Sequence, residues 1–260
     1  VVLECVINIS EGRDREAIDA IASAAGSDLL DVHVDADHHR SVLTLAGEGA
    51  ARAVAVEAVQ HLDLRAHVGA HPRIGVVDVV PFVPLDGSTT EDALRARDEF
   101  CRWAAQELSV PCFCYGSERT LPEVRRRAFI DLAPDHGPPM PHRTAGAMAV
   151  GARPLLVAYN VWLRDPDLSL ARAIATELRS PQVRTLGLAV GREVQVSMNL
   201  VDPIAVGPAM VADAVAARAS VARCELVGLV PAAVLALVPQ QRWSELDLSA
   251  TRTIEARLLR

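Results

Sequence analysis

The chain has no lysine, and all 26 of its basic side chains are arginine. Without a lysine amine no Schiff base can form, so pyridoxal-phosphate and lysine-aldolase mechanisms are excluded. A P-loop is excluded too, because it requires Gly-Lys-Ser/Thr. Aromatic residues are scarce, at 3%, and the formal net charge is −7. Nucleic-acid binding wants a basic surface and, for RNA on a sheet, exposed aromatics, so neither DNA nor RNA is an expected partner. The five cysteines are an odd number, and Cys112-Phe-Cys114 lacks the spacing of a redox pair or a zinc knuckle. No apolar run reaches the about 18 residues of a membrane span; the best candidate, 226–238, is interrupted by Pro231. No leader-like segment opens the sequence. These absences lead to the expectation of a reduced, cytoplasmic protein with no membrane partner.

What is present is a large aliphatic content. Half of the 260 residues are hydrophobic, mostly Ala, Val and Leu, enough to bury one large core or two small ones. The chain is organised around His67-Val-Gly-Ala-His71-Pro-Arg73-Ile-Gly75, which runs into a valine-rich strand over 75–84. Gly69 and Pro72 preclude a helix there. Titratable groups on a loop pinned to a rigid strand suit catalysis. A histidine simply hydrogen-bonded at the rim of a sheet fits the same pattern.

Hydrophobic spacing predicts strands over 1–9, 29–34, 41–46 and 75–84, with helices over 15–25 and within 47–62. The order is β-α-β-β-α-β, the split βαβ arrangement. In it we expect the first and third strands to run parallel in the middle of the sheet. A helix over 89–108, a strand over 110–115 and a short helix before Arg127 follow. Beyond a proline-rich stretch the order repeats, with strands over 155–163, 183–190, 194–200 and 224–230 and helices over 167–179 and 207–219. The expected class is α+β: two ferredoxin-like βαββαβ sandwiches facing each other across a ligand groove. The expected boundaries are 1–132, a connecting loop over 133–150, and 151–260.

Polar residues collect in three turns. Ser10, Glu11 and Arg13 follow the first strand, Asp35 to Arg40 occupy the first hairpin turn, and His67, His71 and Arg73 precede the fourth strand. Some of these turns should converge. The histidines lack the i, i+4 or Cys/His spacing of familiar zinc sites, so no metal is expected. His38 and His39, in an aspartate-rich turn, read as solvated, with Arg40 available for a carboxylate. Asn160 and Asn199 lie in apolar strands; each amide either bonds to a neighbouring strand or recognises a ligand. The loop 137–146 reads either as a linker or as a stiff wall for a flat ligand.

The block His-x-Gly-x-His-Pro-Arg-x-Gly, followed by Asp78-Val-Val-Pro-Phe82-Val-Pro84, resembles the central motif of the glutamate formiminotransferases. Glu4-Cys5 through Ser10-Glu11-Gly12, Leu29-Leu30-Asp31-Val32, His39-Arg40-Ser41-Val42, Thr120-Leu-Pro, Gln195-Val-Ser-Met-Asn-Leu and Glu225-Leu-Val-Gly-Leu-Val-Pro231 resemble further family segments in order, covering nearly all of 3–235. The resemblance implies transfer of a formimino group from N-formimino-L-glutamate to N5 of tetrahydrofolate, in one-carbon and histidine metabolism. It implies a homodimer, His71 as general base, and tetrahydrofolate as acceptor substrate with neither metal nor pyridoxal phosphate. It also implies folate contacts along Gly137, Pro138, Pro139, Met140, Pro141, His142, Arg143, Thr144, Ala145 and Gly146. No cyclodeaminase segment follows, so a stand-alone transferase is expected. Ile7 and His136 depart from the family pattern, and the segment after Pro239 matches it poorly.

The formimino group is a cationic amidine, so a carboxylate should stabilise it; Glu11, Asp31 and Asp35 are the candidates. The donor carries two carboxylates, which arginine forks suit, so Arg40 and Arg73 are assigned to them. Two other readings stay open: formyl transfer from N-formylglutamate, and a non-catalytic protein that binds folate or an amino acid.

Overall fold

A computed structural model describes residues 2–69 and 73–259. In chain order the strands and helices are β1 Leu3–Ile9, α1 Arg15–Ser23, β2 Leu29–Asp35, β3 Arg40–Ala46, α2 Glu48–His61, β4 Val77–Pro84, α3 Thr90–Glu107, β5 Cys112–Tyr115, α4 Leu121–Arg127 and β6 Met148–Ala152. They continue with β7 Val157–Leu163, α5 Leu168–Leu178, β8 Val183–Val190, β9 Glu193–Leu200, α6 Pro208–Ala216, β10 Val221–Val227, α7 Ala232–Ala236 and α8 Ile254–Leu258. Two compact units divide after Pro154.

The first unit holds a six-stranded sheet in the order β2-β3-β1-β4-β6-β5. β1 lies antiparallel to both β3 and β4. The expectation of parallel first and third strands is therefore wrong. The tight β2–β3 turn reverses the chain, so only β2, reached through the α1 crossover, can share the direction of β1. Helix α1 starts where Asp14 accepts from the Ala17 amide, and buries Ile18, Ile21 and Ala22. In α3, Thr89 and Asp92 form a capping box, and Phe100, Cys101 and Ala104 are buried. Thr120 and Glu123 cap α4 in the same way, with a proline in its first turn.

The stretch 133–150 does not simply connect the halves. Its last residues begin β6, Met148–Ala152, which enters the first sheet parallel to β4 on one side and β5 on the other. All five residues of β6 are buried. A strand covered on both faces loses the alternation that marks strands in sequence.

The second unit has a four-stranded antiparallel sheet in the order β10-β7-β9-β8. Tyr159, Val161, Val196 and Met198 form its core with Ile174 and Val215. The segment beyond Pro239 belongs to this unit: Leu246 and Leu248 enter the core, and the Tyr159 hydroxyl donates to the Leu246 carbonyl at 2.7 Å.

Candidate active site

Three polar turns of the first unit meet at one end of its sheet. The Ser10 amide donates to the Val76 carbonyl at 2.7 Å, and its hydroxyl donates to the Gly75 carbonyl at 2.8 Å. These bonds fasten the start of β4 to the end of β1. Glu11 folds back over its own turn: Oε1 accepts from the amides of Gly12, Arg13 and Asp14 at 2.9, 2.7 and 3.0 Å. Gly12 presses against the hairpin, where a Cβ would lie 2.2 Å from the Asp35 carbonyl oxygen and 2.5 Å from the Arg40 amide. The Arg13 Nε donates to the Ala36 carbonyl at 2.9 Å.

The hairpin turn is built around Asp35. One oxygen accepts from the amides of Asp37 and His38 at 3.0 and 2.8 Å, and the other meets His38 Nδ1. Burial alone would push the Asp35 carboxyl up, but the bonds from the His38 ring and amide outweigh it and hold the group at about 2. His38 is 5% exposed. His39 follows in the left-handed region at φ 52°. Its Nδ1 accepts from the Gly12 amide at 3.1 Å and lies 3.3 Å from Glu11 Oε1. Burial lowers the His39 pKa and the arginines 13 and 73 lower it further, against the opposing pull of Glu11. A neutral ring accepting at Nδ1 carries its proton on Nε2. The reading of His38 and His39 as solvated is thus corrected: each ring has turned inward to satisfy a backbone or carboxylate partner.

The loop before β4 packs on this turn. The rings of His39 and His67 lie 4.1 Å apart. A Cβ at Gly69 would meet the Arg73 guanidinium at 2.6 Å and the His38 carbonyl at 2.8 Å. His67 Nε2 is buried and has no hydrogen-bond partner among the described residues. His71, the expected general base, lies outside the described residues.

Asp78, 3% exposed on β4, closes the cluster. It accepts from the Ile74 amide at 2.8 Å and from the Arg125 guanidinium. Burial pushes its carboxyl up despite Arg125. Arg73 is pulled the other way, burial lowering its pKa. Ser10, His39, Arg40, Arg73 and Asp78 surround a cavity of about 10 Å³. That is room for about one water. Ser10 and His39 are legible in sequence only as members of polar turns, and Asp78 and Arg125 not as site residues at all. Asp78 carried a usable signal, since a carboxylate inside a valine run must find a partner.

A larger cavity of about 400 Å³ opens nearby in the same unit. Its lining includes Pro141, His142, Arg143 and Gly146, from the expected folate stretch, together with Leu64, Ile74 and Phe129. His142 Nδ1 accepts from the Ala145 amide at 3.0 Å, and the Thr144 carbonyl accepts from the Leu64 amide at 2.8 Å. Gly137, Pro138, Pro139 and Met140 are not part of this lining. Gly137 instead sits against Pro111 and Ala105.

The remaining expected residues are in other places. Asp31 is half-buried on β2. In the second unit Asn160 Nδ2 donates to Glu225 at 3.0 Å, and Trp162 Nε1 donates to the same oxygen at 2.8 Å. The Asn160 amide therefore makes a cross-strand bond between β7 and β10. Asn199 is exposed on β9, opposite Ala158 and Arg184. Among the described residues no group of three His, Cys, Asp or Glu side chains could hold a metal, and no helix is long and apolar enough to cross a membrane.

Residues 2–153 match the family model described as the formiminotransferase domain, N-terminal subdomain. The chain is 36% identical over 232 residues to the glutamate formimidoyltransferase of Streptococcus pyogenes serotype M1, covering 77% of this chain and 78% of that one. It is 34% identical over 232 residues to the glutamate formimidoyltransferase of Thermoplasma acidophilum, covering 76% of each. The formimidoyltransferase-cyclodeaminase of Gallus gallus is 35% identical over 273 residues, which span 88% of this chain and 50% of that protein. On this similarity, which includes the turns that build the polar cluster, the chain belongs to the formiminotransferase family.

Proposed function

We propose that this protein transfers the formimino group of N-formimino-L-glutamate to N5 of tetrahydrofolate, releasing L-glutamate. The observation that carries this reading is the similarity to two glutamate formimidoyltransferases over three-quarters of the chain. The polar cluster suits the chemistry. Arg13, Arg40, Arg73 and Arg125 surround one end of the sheet, where a donor with two carboxylates would be held. Arg40 and Arg73 take those carboxylates. Burial, with Arg13 and Arg73, lowers the pKa of the His39 imidazole in this cluster.

His71 takes the N5 proton as N5 bonds to the formimino carbon. The tetrahedral intermediate then expels glutamate as an amine, which takes a proton as the old C–N bond breaks. Glu11 is occupied by three backbone amides and Asp35 by two amides and the His38 ring, and one of Glu11, Asp31 and Asp35 steadies the cationic amidine. The segment Gly137–Gly146 contacts the folate, Asn160 and Asn199 assist substrate binding, and the active form is a homodimer. Each unit is a ferredoxin-like sandwich, a reading supported by the two strand orders β2-β3-β1-β4 and β10-β7-β9-β8.

The test is glutamate release from N-formimino-L-glutamate in the presence of tetrahydrofolate, with N-formylglutamate in parallel. His71→Ala should lower turnover by roughly 10²–10⁴ while tetrahydrofolate still binds. Release from the formyl donor alone would move the substrate, and unchanged turnover in the variant would remove His71 from the mechanism.

A further inference from the structure

Phe129 follows α4 in a conformation its side chain disfavours, with φ 61°. An aromatic residue in the left-handed region is an outlier that the surrounding turn must impose. Here the Arg127 carbonyl accepts from the amides of Ile130, Asp131 and Leu132, and the Phe129 amide donates to the Leu132 carbonyl at 3.0 Å. The result puts the Phe129 ring edge-on to Phe113, centroids 5.0 Å apart and planes at 87°, while the residue also lines the 400 Å³ cavity. Arg143 lines the same cavity, is exposed, and helps to hold the Asp63 carboxyl down by its charge. An aromatic ring and an exposed guanidinium on one cavity match a ligand with a flat ring and a carboxylate beyond it.

We propose that Phe129 determines acceptor specificity by stacking on the aminobenzoyl ring of tetrahydrofolate, with the ligand's glutamate carboxylate directed to Arg143. The proposal rests on the folate-dependent reading above. It gives the enforced turn a purpose: the turn keeps Phe129 at the cavity while its ring rests edge-on against Phe113.

The experiment compares tetrahydrofolate with 6-methyltetrahydropterin, which keeps the reacting nitrogen and lacks the aminobenzoyl-glutamate arm. Phe129→Gly removes the ring and relaxes the backbone, because glycine accepts positive φ. Phe129→Leu keeps apolar bulk without a ring face, and Phe129→Tyr restores the face. In Phe129→Gly and Phe129→Leu the KM for tetrahydrofolate should rise about tenfold, with a much smaller change in kcat, while the KM for the pterin should stay put. Phe129→Tyr should recover tetrahydrofolate affinity. An unchanged KM for tetrahydrofolate overturns the proposal. So does an equal loss for both acceptors, which would mean a general collapse of the site. Direct titration of tetrahydrofolate separates this idea from the function it rests on. If the wild type binds folate and the ring-deleted variants do not, the stacking stands even without glutamate release. If the wild type binds no folate, both fall.

Discussion

Asp78 and Arg125 are joined by an ion pair whose side chains are only 4% and 18% exposed. Because Asp78 also accepts from the Ile74 amide, the pair ties β4 and the loop before it to α4. It therefore braces both the small polar cavity, which Asp78 lines, and the larger one, which Ile74 and Phe129 line.

Arg125→Met should cost about 3 kcal/mol, because it leaves Asp78 a buried carboxylate without its counter-charge. Adding Asp78→Asn should recover much of that loss, since the amide can still accept from Ile74 and no charge remains. Burial already raises the Asp78 pKa. A group so shifted favours the fold while protonated and loses that contribution as pH rises, so Arg125→Met should lie closer to wild type at pH 4 than at pH 7. Urea unfolding of the two variants at both pH values is the check. A double variant no more stable than Arg125→Met would show that the two charges are not coupled.

Gly12→Ala should disable the site. The added methyl would fall 2.2 Å from the Asp35 carbonyl and 2.5 Å from the Arg40 amide, both backbone atoms that cannot rotate away. Overpacking of this kind costs about 1–3 kcal/mol. The turn after β1 must then part from the β2–β3 hairpin, separating Glu11 from His39. Turnover should fall by more than tenfold in protein that still shows cooperative unfolding. Full activity would mean that the two turns need not touch.

Much of this arrangement was legible in the residues, and the parts that were not share a cause. The β-α-β-β-α-β order of each unit follows from hydrophobic spacing, and the meeting of three polar turns follows from that order. β6 was missed because Met148-Ala-Val-Gly-Ala152 has small side chains, no alternation, and a proline-rich loop before it; only β4 and β5 make it a strand. His39 was misread because its burial depends on Gly12 and His67, 27 and 28 residues away in sequence. Nothing in Arg127-Ala-Phe129-Ile marks a left-handed aromatic. Local pattern revealed the elements, and contacts distant in sequence decided which side chains they present.

His39→Asn should be far milder than His39→Leu. Asparagine tolerates the left-handed backbone that His39 adopts, and its side-chain oxygen can accept the Gly12 amide in place of Nδ1. Leucine fits neither requirement. We expect His39→Leu to lose about 1–2 kcal/mol and at least tenfold in turnover, and His39→Asn to stay within a few-fold of wild type. Thermal unfolding and steady-state turnover decide it. Equal losses in both variants would instead make the imidazole itself, through its Nε2–H, a participant in the reaction.

Acid sensitivity should trace to Asp35. Its carboxyl sits at about 2 in the folded protein, against 3.8 for an ordinary aspartate. A carboxylate depressed in this way contributes stability above its unfolded pKa and loses that contribution as pH falls toward the folded value. The wild type should therefore exceed Asp35→Asn in stability at pH 6, by about 1 kcal/mol once partial solvent screening is allowed for. The gap should narrow between pH 4 and pH 2, because protonated Asp35 no longer accepts from both the His38 ring and its amide. Urea midpoints for the two proteins at pH 6, 4 and 3 make the comparison. A gap that stays constant would place the stabilisation in the shape of the turn, which asparagine preserves, and not in the charge of Asp35.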